Sequence, residues 1–70
     1  MRTDEEQVAW YRGIRDRAEA QLKLIEEGWR FKRGIGTEPM IDVTDEVASR
    51  ERETVETMNR LITMYEARRA

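Results

Sequence analysis

The residues best suited to chemistry lie together in the middle of the chain: Trp29-Arg30-Phe31-Lys32-Arg33-Gly34-Ile35-Gly36. Cations and aromatic rings alternate here, and two glycines follow. An aromatic face can stack on a flat base. Arginine can grip a phosphate through two parallel N–H donors, and lysine can neutralise it as a point charge. Glycines let backbone N–H groups approach an anion closely. The combination suits an anionic, nucleotide-like ligand held by Trp29, Arg30, Phe31, Lys32 and Arg33, with Tyr11 and Arg12 joining from a second copy. The glycine spacing is that of neither a P-loop nor a dinucleotide fingerprint. The same residues also have a structural reading. Trp29 lies one turn beyond Ile25 and would close the end of a core, Phe31 would pack under a hairpin, and the cations would be solvated or paired with Glu38, Asp42, Asp45 and Glu46.

Other chemistry is thin. The 70 residues include no His and no Cys, which removes the commonest general base, the commonest metal ligand and any thiolate nucleophile. Ser49 is the only serine and has no His to activate it. The carboxylates along the chain lie in no apolar setting that would raise their pKa. An enzyme is therefore not expected, nor is a cofactor. Asp42, Asp45 and Glu46 could suggest a divalent cation, but carboxylates gather at helix N-termini in any case, so no metal is expected. Charged residues make up 40% of the chain, yet the net charge is −2. The signs are interleaved, which argues against a duplex nucleic-acid binder on bulk charge. Met1–Glu6 has no apolar core and does not resemble a signal peptide. A soluble protein of the cytoplasm is expected, with no membrane partner.

Two helices must position the central segment. Thr3 followed by Glu6 has capping-box spacing, and Asp4, Glu5 and Glu6 suit the positive end of a helix dipole. The helical pattern runs over about residues 4–27, and Gly28 stands where a C′ glycine belongs. At 100° per residue its main apolar stripe is Val8, Tyr11, Ile14, Ala18, Leu22 and Ile25. A second stripe holds Trp10, Gly13, Ala20 and Leu24, with Arg17 among them. Either this stripe is an oligomer interface, or Trp10 and Leu24 merely broaden one face. A second helix is expected over about residues 45–69, with Thr44 or Asp45 as N-cap and a stripe of Val47, Val55, Met58, Leu61, Ile62 and Tyr65 interrupted by Glu51. Glu46–Arg50 and Glu56–Arg60 have the favourable i,i+4 order, and Arg68 and Arg69 suit the negative end.

The connection, residues 28–44, is long for a structureless loop. Trp29, Phe31 and Arg33 alternate with Arg30 and Lys32, Met40-Ile41-Asp42-Val43 is β-compatible, and Gly34, Gly36, Thr37 and Pro39 lie between. This predicts a short β-hairpin, with an ordered loop as the alternative. The fold expected is a single domain over residues 1–70, mainly α: an antiparallel pair of long helices joined by this connection and associating with a second copy into a helical bundle.

The order helix, hairpin, helix resembles the phage head-to-tail joining proteins of the lambda W type. The small size, helicity and aromatic-basic segment also resemble phage counter-defence proteins that sequester nucleotide signals. Both are resemblances of layout and transfer no residue role. They frame two expectations: an oligomeric, non-enzymatic binder that captures a nucleotide-like anion through residues 29–36, or a protein-interaction or virion-structural module with no small ligand.

Overall fold

The computed structural model describes residues 3–69, the side chain of Arg69 excepted. The order is helix α1 (Asp4–Glu26), strand β1 (Lys32–Arg33), strand β2 (Ile41–Asp42) and helix α2 (Thr44–Arg69). The expected role of Arg69 at the helix end lies outside the described side chains.

Local chemistry sets the ends of α1. The Thr3 hydroxyl accepts from the Glu6 amide at 3.1 Å, and three carboxylates occupy the first turn. At the other end Glu27 is the C-cap and Gly28 has φ +102°. The Gly28 amide donates to the Ile25 carbonyl and the Trp29 amide to the Leu24 carbonyl, each at 3.0 Å. This is the Schellman arrangement, and glycine fills its left-handed position without a Cβ clash. The turn swings the chain off the helix axis at Trp29 and aims the hairpin back toward α2.

The helices lie side by side and antiparallel. Three contacts fix their register: the rings of Tyr11 and Tyr65 at 5.7 Å, Arg12 with Glu66 at 2.6 Å, and Arg15 with the Asn59 carboxamide at 3.2 Å. The seam follows a three-four spacing on both helices. On α1 it runs through Val8, Tyr11, Arg15, Ala18, Leu22 and Ile25, all buried or half-buried; on α2 through Thr44, Ala48, Glu51, Val55, Met58, Ile62 and Tyr65, likewise. A repeat of 3.5 residues keeps a seam facing its partner along the whole length. The expected stripe on α1 is present except that the three-four spacing passes through Arg15 where the stripe has Ile14; both are half-buried, and Arg15 reaches Asn59 of α2. On α2 the expected stripe lacked Thr44 and Ala48, which are among the most buried residues of the protein. Glu51 does interrupt it: its side chain is only 17% exposed and reaches Arg50 at 3.6 Å. The i,i+4 pairs read from the sequence do not form in α2; Arg50 turns to Glu51, and Glu46 turns to Arg33.

Two helices and a small hairpin leave much surface uncovered. The radius of gyration is 15.9 Å and the principal extents are 53 × 26 × 14 Å, against about 11 Å for the radius of a compact domain of this length. The accessible surface is 5671 Å², while scaling with mass gives roughly 4600 Å² for a compact monomer. Trp10 and Leu24, on the second stripe of α1, are 48% and 37% exposed. Gly13, on the same stripe, faces open space: a Cβ there would meet nothing within 4 Å. A glycine inside a helix costs about 1 kcal/mol relative to alanine, and no contact within the chain requires it. No described helix is long and apolar enough to cross a membrane.

Candidate interaction site at the hairpin end

The connection is a two-stranded antiparallel hairpin, with Lys32 opposite Asp42 and Arg33 opposite Ile41. The Val43 amide donates to the Phe31 carbonyl at 2.8 Å and extends the pairing by one step. The reversal is a turn closed by the Glu38 amide on the Ile35 carbonyl at 3.1 Å. Gly36 has φ +60°, and among the described residues no non-glycine residue has positive φ. Positive φ at the first central position followed by negative φ at Thr37 is the signature of a type II′ turn, which needs glycine first. Gly34 serves differently: a Cβ there would come within 2.7 Å of the Met40 sulfur and 3.3 Å of its Cα, so glycine lets the two arms close on each other.

A polar relay fastens the hairpin to α2. Thr44, 1% exposed, accepts from the Phe31 amide at 2.9 Å and donates to Asp42 Oδ1 at 2.6 Å. The Thr44 amide also donates to Asp42 Oδ1, at 2.9 Å. The other oxygen, Oδ2, accepts from Arg30 Nε at 2.9 Å and lies 2.7 Å from Arg30 Nη2. These donors hold the Asp42 carboxyl well below its ordinary range, at about 2; the Thr44 hydroxyl contributes most, then the Thr44 amide, then Arg30. The expected N-cap of α2 is corrected by this geometry. Val43 is the residue whose carbonyl accepts the first helical bond, from Val47 at 2.9 Å. Thr44 is already inside the helix, and the capping side chain comes from Asp42. Thr44 cannot cap its own helix because its hydroxyl is committed across the hairpin.

The structure separates the residues that the sequence groups together. Arg30 is held by Asp42, and Phe31 is half-buried with both backbone groups bonded to residues 43 and 44. Arg33 lies 4.0 Å from Glu46 with both side chains exposed. Lys32 is exposed and has no ion pair or hydrogen bond among the described residues. Trp29 is 61% exposed. The three cations are outnumbered locally by Glu26, Glu27, Glu38, Asp42, Asp45 and Glu46. Tyr11 and Arg12 are elsewhere, packed on Tyr65 and Glu66, roughly 22 Å along α1 from its C-terminus at 1.5 Å per residue. One copy of the chain therefore keeps Trp29, Lys32 and Arg33 exposed at the hairpin, with Lys32 and Arg33 on opposite faces of β1, and does not bring Tyr11 or Arg12 to them.

Residues not among the expected contacts are also exposed on the hairpin. Ile35, Met40 and Ile41 are 76%, 61% and 62% exposed. With Trp29 they give the hairpin four large apolar side chains in water, more than any other part of the described chain presents. The signal for them was available: Ile35 sits between two glycines at a turn, and a hairpin this short has too little second face to cover Met40 and Ile41. No pocket is found on the described surface; the hairpin presents its apolar side chains to solvent along with the exposed Lys32 and Arg33.

Comparison with family models, curated proteins and solved structures finds no match. The element order expected from the layout of the head-to-tail joining proteins is present, but no family follows from order alone.

Proposed function

We propose that this protein is a non-enzymatic interaction module whose working surface is the hairpin end. The observation that carries the reading is the exposure of Trp29, Ile35, Met40 and Ile41, each above 60%, on one small structure. Isolated exposed apolar residues are ordinary, whereas a cluster of them marks a surface made to be covered. The hairpin is also held in a fixed shape by Asp42, Thr44 and Arg30, so a partner meets a preorganised surface and less ordering entropy is lost on binding. Aromatic and Met side chains beside Arg match the usual make-up of an interface core. A joint in a larger protein assembly, such as a virion, is one form this function takes. The proposal places the work in the cytoplasm, which suits a cysteine-free sequence.

The test is capture of partner proteins by the tagged chain and by its Trp29→Ala/Ile41→Ser variant. Loss of a specific partner on substitution, with the helical melting transition unchanged, is the expected result. Equal capture by both chains would remove the hairpin from the account.

A second reading, capture of a nucleotide-like anion, draws on the exposed Trp29 ring and the unpaired Lys32. A native-state ligand raises the melting temperature. Nucleotides and cyclic oligonucleotides that raise it in the parent chain, and fail to do so after Lys32→Ala and Arg33→Ala, would favour this reading over protein docking.

A further inference from the structure

The two helices form a single layer. The chain is 14 Å deep along its shortest axis, close to the diameter of one helix with its side chains, whereas a domain ordinarily buries its apolar surface between two layers. The two broad sides of this layer differ. Because the seam repeats every seven residues on each helix, the positions flanking it fall on opposite sides. On one side lie Gln7, Ile14 and Gln21 of α1 with Val47, Thr54 and Leu61 of α2, all half-buried. On the other lie Arg12, Glu19 and Glu26 with Arg52, Asn59 and Glu66, all exposed. The Arg12–Glu66 pair at 2.6 Å bridges the helices on that second side.

Charge and apolar exposure divide the same way. One step further out on the first side stand Trp10, Arg17 and Leu24 of α1 and Arg50, Thr57 and Met64 of α2. The exposed large apolar side chains of the helices, Trp10, Leu24 and Met64, are therefore all on this side. Its charges are Arg17, Arg50 and Arg68, and no carboxylate occupies its positions among the described residues. Arg17 has no ion pair or hydrogen bond among the described residues, and Arg68 lies over the Tyr65 ring at 5.3 Å. The second side is acidic, with Asp16, Glu19, Glu26, Asp45, Glu56 and Glu66 on it.

We propose that the first side receives a helix of a partner protein, one whose apolar stripe is flanked by carboxylates, laid in the groove between α1 and α2 as the second layer. From Gln7 to Leu24 the groove spans about 26 Å, roughly five helical turns. Charge complementarity selects this occupant: the rim cations Arg17, Arg50 and Arg68 meet acidic flanks. A second copy of the chain does not fit. Face to face it sets cation against cation, and its acidic side offers no large apolar side chain. A lipid surface would cover Trp10, Leu24 and Met64 but would also bury Gln7, Gln21 and Thr54, whose polar atoms find no partner in hydrocarbon. A partner helix brings polar side chains of its own to them. This side is separate from the hairpin end, and its use does not depend on the function proposed there.

The probe is a synthetic peptide of about 18 residues, five turns, with Leu at three-four spacing and Glu on both flanks, added to the isotope-labelled chain. Amide resonances are expected to shift at Trp10, Ile14, Leu61 and Met64 and to stay in place at Asp16, Lys23 and Glu56. Arg17→Glu/Arg68→Glu is expected to weaken binding at least roughly tenfold. Lys23→Glu/Arg52→Glu changes the net charge by the same amount on the acidic side and is expected to leave binding unchanged. Both pairs are at exposed positions, so circular dichroism of the variants should match the parent. A peptide with Lys in place of Glu should not bind. Equal binding of the two peptides, equal loss in the two variants, or no shift at millimolar peptide would each overturn the proposal. Capture on vesicles of equal parts phosphatidylcholine and phosphatidylserine, with no response to the peptide, would overturn it in favour of a lipid surface.

Discussion

The helical seam and the hairpin end are both small, but they hold their shape by different means. Along the seam Val8, Ala18, Ala48 and Ile62 are almost fully buried, and apolar burial is what joins the helices. At the hairpin the strands are two residues each, and the large apolar side chains face water. What fixes that end is the set of hydrogen bonds among Phe31, Asp42, Thr44 and Arg30. The seam uses its apolar surface to fold, whereas the hairpin fixes its backbone by polar means and leaves its apolar surface for something else. The division teaches where to look for function: at the region whose hydrophobic residues are not consumed by folding.

The comparison can be broken most strongly at the seam. Ile62→Ala removes a 6% exposed side chain, and such changes cost about 2–5 kcal/mol. In a chain this small that approaches the whole stability, so urea denaturation should show most of the protein unfolded in mild denaturant. Thr44→Val comes next. It keeps the shape of the side chain but removes the hydroxyl, leaving the Phe31 amide without its acceptor, at a cost of about 1–3 kcal/mol. The loss should be visible as faster amide exchange at Phe31 and in the first turn of α2, with the middle of the seam less affected. Glu51→Leu sharpens the contrast with the opposite sign. A carboxylate 17% exposed on an apolar seam is replaced by a side chain worth about 1–2 kcal/mol of burial, and a gain of 1 kcal/mol raises the melting temperature by roughly 4–8 °C.

The pH dependence separates the regions as well. Asp42 titrates at about 2 in the folded protein, against about 3.9 when unfolded. A depressed carboxyl contributes stability that is present above the unfolded value and is lost as pH falls through the folded one. Acid should therefore loosen the hairpin's attachment to α2 between about pH 4 and pH 2. In Asp42→Asn that component of the acid transition should disappear, leaving a melting temperature that varies less with pH across the same range.

Much of this architecture was legible in the residues. Thr3, Gly28 and the three-four spacing of α1 declare the first helix, because caps and periodicity are local properties. Gly36 and the alternation around Phe31 declare the hairpin for the same reason. What could not be read was pairing over distance. Six carboxylates lie near Arg30 in the sequence, and only the strand register, which puts Lys32 opposite Asp42, decides that Asp42 receives it. Thr44 looks like a helix cap until the hairpin folds back and claims its hydroxyl. Ala48 and Thr44 were missed on the seam because small or polar residues give little periodic signal, although their burial is nearly complete. Of the expected ligand contacts, Trp29, Lys32 and Arg33 remain exposed; Arg30, also exposed, is held by Asp42, Phe31 is half-buried, and Tyr11 and Arg12 belong to the far part of the helical pair.

The central claim is that the hairpin's apolar residues serve binding and not folding. Urea denaturation of Trp29→Ala/Ile41→Ser beside the parent chain, with partner capture measured on the same preparations, tests it most directly. The account expects each substitution to shift stability by no more than about 0.5 kcal/mol, as exposed positions do, while specific capture is lost. A large loss of stability with capture retained would contradict it and would make the hairpin end part of the core.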